Sequence, residues 1–66
     1  MNEKQQSIFS SQVSYSIDDD QESYAGALNA YDTAIEQRLT ITEASEVSEA
    51  VFCELEKRNE TNGDAR

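Results

Sequence analysis

The sequence predicts a small α+β domain, with one N-terminal β-strand (or short hairpin) followed by two amphipathic helices packed as a helical hairpin. Three observations predict it. Residues 8–17, IFSSQVSYSI, alternate: Phe9, Val13, Tyr15 and Ile17 point one way, and Ser10, Gln12, Ser14 and Ser16 the other. Residues 24–39, YAGALNAYDTAIEQRL, repeat at steps of three and four, which puts Tyr24, Leu28, Tyr31, Ile35 and Leu39 on one helical face. Thr40-Ile41-Thr42-Glu43 is a capping box, Thr-x-x-Glu, and it opens a second helical period.

In chain order, residues 1–7 are polar and without period, and read as a flexible tail. A single domain is expected over residues 8–59. Its strand would stand alone, and a lone strand leaves its backbone groups unpaired. Val13, Tyr15 and Ile17 are therefore expected to pair with a folded-back segment, a second copy or a partner's sheet. Asp18, Asp19, Asp20 and Glu22 follow as an acidic cluster, with one Asp expected to cap the next helix. A calcium loop starting at Asp18 would need Gly and Glu where Ser23 and Asn29 stand, so that reading fails.

The first helix is expected from about Asp20 to Arg38, with Tyr24, Leu28, Tyr31 and Ile35 as the centre of the core and Gly26 allowing a close approach. The second is expected from Ile41 or Thr42 to Asn59, with Ala44, Val47, Val51 and Leu55 inward. Glu46, Glu49, Glu56 and Glu60 then form an acidic column on the far side, and Glu54 and Arg58 an ion pair one turn apart. Residues 60–66 read as a disordered tail.

Composition narrows the function more than any motif does. Fourteen acids against five bases give a formal charge of −9 over 66 residues. Such a chain is repelled by nucleic acid and by anionic membranes, and attracted to basic surfaces. Leu, Ile, Val and Phe together supply 12 of 66 residues, a thin core that a binding partner would help to complete. There is no His, and the lone Cys53 has no base to activate it, so no nucleophile–base pair is evident and no enzyme is expected. No cofactor or metal is expected. Tyr15, Tyr24 and Tyr31 are explained by spacing as core rather than as stacking platforms. No apolar run is long enough to span a bilayer and the first residues lack a signal peptide's apolar stretch, so a cytoplasmic location is expected.

These constraints lead to a small acidic protein that binds and inhibits or regulates a protein target with a basic, nucleic-acid-binding surface. Asp18, Asp19, Asp20, Glu22, Glu46, Glu49, Glu56 and Glu60 are its candidate contacts, standing in for phosphates. In size and charge it is similar to the acidic anti-defence proteins of phages and mobile elements. The order strand–helix–helix also resembles the ribbon–helix–helix fold. That resemblance implies a homodimer acting as a regulator or an antitoxin-like adaptor. Its exposed ribbon face would be Ser10, Gln12, Ser14 and Ser16, without the Lys and Arg that DNA binding needs.

Overall fold

Asn2 and Gln5 begin the first element. The Asn2 side chain accepts from the Gln5 backbone N–H at 2.9 Å, and the Gln5 side chain accepts from the Asn2 backbone N–H at 2.8 Å. This reciprocal cap satisfies two donors that a helix start otherwise leaves open. The helix it starts is α1, Glu3–Asp18. Two more follow, α2 at Ser23–Glu36 and α3 at Ile41–Asp64. The structure, a computed structural model, describes the backbone of residues 1–64 and the side chains of residues 1–58. The side-chain part of the tail expected over 60–66, with residues 65 and 66, lies outside the described residues.

The α+β expectation is thus corrected: the described residues form three helices and no strand. The stretch read as a strand lies inside α1, whose inward stripe is Gln5, Ile8, Gln12, Val13 and Ser16. Those positions follow the helical period, but three of the five are polar, so the apolar residues alone show a false period of two. Val13 enters the core, whereas Tyr15 and Ile17 are exposed at 54% and 45%. The three residues proposed for strand pairing therefore share no face. With no strand, the ribbon–helix–helix reading falls as well. Residues 3–7, read as tail, are the first turns of α1, and Gln5 is buried.

The polar stripe is tolerated because it is fully bonded. Gln12 Nε2 donates to Ser16 Oγ at 2.9 Å, and Ser16 Oγ donates to Gln21 Oε1 at 3.2 Å. Asn29 Nδ2 on α2 donates to the same Gln21 oxygen at 3.3 Å. Gln5 Nε2 donates across to α3, to the Glu43 carbonyl at 3.2 Å and to Glu46 Oε1 at 2.8 Å. Among the described residues no buried side-chain N or O lacks a partner. That removes the penalty of about 1–3 kcal/mol that each unmet group would impose.

Both connections stop their helices in the same way. Asp20 and Arg38 take left-handed backbone, φ 55° and 68°. Past each of them the next N–H reaches back to the helix: Gln21 to the Ser16 carbonyl at 2.8 Å, and Leu39 to the Ala34 carbonyl at 3.0 Å. These bonds satisfy carbonyls left open at a helix end. The helix expected from Asp20 to Arg38 is thus bounded by two such stops and holds only Ser23–Glu36. No Asp caps it. Its N-cap is Glu22, which makes no side-chain cap bond, and the aspartates instead end α1.

The capping box of α3 forms as read, with Glu43 N–H donating to Thr40 Oγ1 at 3.1 Å and Thr40 N–H to Glu43 Oε1 at 3.0 Å. The Glu54–Arg58 pair forms at 3.5 Å. Asn2 and Gln5 meet Glu43 and Glu46, so α1 and α3 start at the same end. Ser23, at the start of α2, meets Glu56 late in α3, so α2 runs antiparallel to both. The core between them is Ile8, Val13, Ala30, Ala34, Leu39, Ala44, Val47, Val51 and Leu55.

Candidate interaction surface

α2 carries two stripes, and the bundle uses the smaller one. Ser23, Gly26, Ala27, Ala30 and Ala34 are buried. They let the backbones come close: a Cβ placed on Gly26 would lie 2.5 Å from Leu55 Cδ1 and 2.7 Å from Ser16 Oγ. Ser48 Oγ of α3 donates to the Ala27 carbonyl at 2.9 Å, locking the same face. The large stripe, rotated about a quarter turn, looks outward. Tyr24 is 65% exposed, Leu28 51% and Ile35 42%, with Tyr31 half-buried against the core. The expectation that this stripe centres the core is corrected. Leu39 alone of its large residues is buried.

Phe52 of α3, 38% exposed, faces the same side. Tyr24, Ala27, Leu28, Tyr31, Ser45, Ser48, Glu49 and Phe52 line a groove of about 300 Å³ between α2 and α3. By helical register Ile35 and Ile41 continue it toward the α2–α3 connection, and Ile41 is 70% exposed. A contiguous face of Tyr, Phe, Leu and Ile left open on a small protein is the candidate contact site here. Tyr and Phe supply much of the energy in such contacts.

No family, curated protein or solved structure matches the chain. The site therefore rests on its own geometry.

The acidic residues do not form one surface. Asp18 is the last residue of α1, Asp19 its C-cap and Asp20 the left-handed stop; all three are exposed, at the negative end of the helix dipole. Glu46 turns toward α1 and accepts from Gln5. Glu49 lines the groove. Glu56 accepts from the Ser23 hydroxyl, which draws α3 beside the acidic α1–α2 connection. The Glu60 side chain lies outside the described residues. The backbone bond from Thr40 holds the Glu43 carboxyl below its ordinary range, with the Thr40 and Asn2 side chains and Lys4 acting in the same direction.

A second hollow of about 190 Å³ lies between α1 and α2, lined by Ser7, Ile8, Ser11, Gln12, Tyr15, Thr33 and Gln37. It holds no charged group. Cys53 is exposed and free. Among the described residues no group of three acids or thiols is placed to hold a metal ion. No described helix is long and apolar enough to cross a membrane. The open stripe was written in the sequence as two overlapping helical repeats, one small and one large. Spacing finds both repeats but does not say which one packs.

Proposed function

We propose that this chain is a small, non-enzymatic binding protein that regulates or inhibits a protein partner bearing a basic surface. The observation that carries the reading is the large apolar stripe of α2, open to solvent beside Phe52 in a molecule of charge −9. Apolar groups supply the buried centre of such an interface, and charge supplies orientation and association rate. The acidic connection at Asp18–Glu22, set beside Glu56, gives the face a negative end. The reading places the protein in the cytoplasm, where an exposed thiol such as that of Cys53 stays reduced.

The test is partner capture from the source cells with the wild-type chain and with a Tyr24→Ser/Leu28→Ser variant, each in low and high salt. The reading requires a captured protein with a basic surface, retained by the wild type and lost with either the double change or salt. Capture indifferent to both, or of an acidic protein, would contradict it. Competition by nucleic acid for that partner would extend the reading to mimicry of a phosphate backbone.

A further inference from the structure

We propose that the α2–α3 groove receives an amphipathic, basic α-helix of the partner, laid along α2 as a fourth helix. This inference rests on the binding role proposed above and specifies its ligand.

Shape argues for a helix. The groove lies between two antiparallel helices. Its anchors Tyr24, Leu28, Tyr31 and Ile35 step by four, three and four residues, over about 16 Å of helix axis. A ridge with that spacing accepts another helix presenting apolar residues at the same steps. The described residues offer no sheet edge, so strand addition has no template. A fourth helix would cover the stripe that three helices leave open, along most of the 14-residue length of α2.

Charge selects among helices. No lining residue is basic, and the one charged lining residue is Glu49. At the Tyr24–Phe52 end Ser23 bonds Glu56, and Glu22 precedes Ser23 in the chain, with Asp18, Asp19 and Asp20 in the connection before it. By register Asp32 flanks the stripe on α2. An incoming helix with Lys or Arg on its flanks meets opposite charge along both margins. A second copy of this chain brings another −9 and the same acids, so charge disfavours it as the occupant. An anionic membrane is repelled for the same reason.

The experiment screens the full-length chain against a displayed library of random peptides about 16 residues long, enough to match the anchors. Winners selected on the wild-type chain alone are then measured against the Leu28→Ser chain. The expected winners carry apolar residues at steps of three and four with Lys or Arg between them. They gain helicity on binding, lose affinity when a central residue becomes Pro, and bind the Leu28→Ser chain about tenfold or more weakly, as loss of an anchor does. Equal thermal melting of the two chains confirms that the loss is local. Winners that are acidic, that are proline-rich and extended, or that bind both chains equally would overturn the proposal. So would a wild-type dimer in sedimentation that Leu28→Ser dissolves, since the second copy would then be the occupant. If the partner capture above succeeds while the winners are extended, the helix inference fails and the binding role stands. If capture proves indifferent both to the Tyr24/Leu28 change and to salt, the binding role fails first; if it responds to salt alone, the groove fails as the site and the binding role stands.

Discussion

Gly26→Ala probes how closely the three helices pack. The added methyl would sit 2.5 Å from Leu55 Cδ1 and 2.7 Å from Ser16 Oγ, well inside the roughly 3.5–4.0 Å at which carbon atoms rest. Neither neighbour moves freely. Leu55 is 4% exposed within the core, and Ser16 Oγ is tied to both Gln12 and Gln21. Overpacking of this kind costs about 1–3 kcal/mol. Replacing a mid-helix glycine with alanine returns about 1 kcal/mol of helix propensity. The expected net loss is between about 0 and 2 kcal/mol, with a fall in Tm of about 4–8 °C per kcal/mol for a domain of this size. Urea denaturation followed by circular dichroism measures it. A Leu55→Ala background should shrink the loss, because it removes the atom that the methyl meets; the double-mutant cycle isolates that coupling. A Gly26→Ala chain more stable than the parent would refute the close approach of α2 to α3.

Three further outcomes are expected. Asp20→Gly and Arg38→Gly each relieve a left-handed residue that is not glycine, and each should stabilise by about 1 kcal/mol in the same assay. Gln5→Ala removes half of the α1 cap and two bonds to α3. It should cost about 1–3 kcal/mol, with amide exchange rising at the start of α1. The third outcome concerns pH. Glu43 titrates lower in the fold than its ordinary 4.5, so its contribution is present above that value and is lost as pH falls through the depressed folded value. A Glu43→Gln chain should lose that part of the acid-side fall in stability, seen by comparing melts of the two proteins across the acid range.

The second half of the chain was largely legible. Thr40 and Glu43 announced the start of α3, and Ala44, Val47, Val51 and Leu55 announced its buried stripe, because there the inward positions are all apolar. α1 was not legible by hydrophobic period. Gln5, Gln12 and Ser16 occupy inward positions and are stabilised by hydrogen bonds that composition does not display. The Asn2–Gln5 cap was the available signal. The ends of α2 were hidden because Asp20 and Arg38, not glycine, take the left-handed stops. The candidate site was read as core for a physical reason: large apolar residues bury more area, and burial is the usual driving force. Here Gly26, Ala27, Ala30 and Ala34 make the close helix contact, and the large stripe stays open to solvent.

The most direct measurement of that division is a pair of denaturation curves, Leu28→Ala against Leu55→Ala. Leu55 is 4% exposed and Leu28 51%. The inward leucine should cost about 2–5 kcal/mol on truncation. The outward one should cost under about 1 kcal/mol, in keeping with a surface substitution. Equal, large losses at both positions would place the Tyr24–Ile35 stripe in the core and remove the interface.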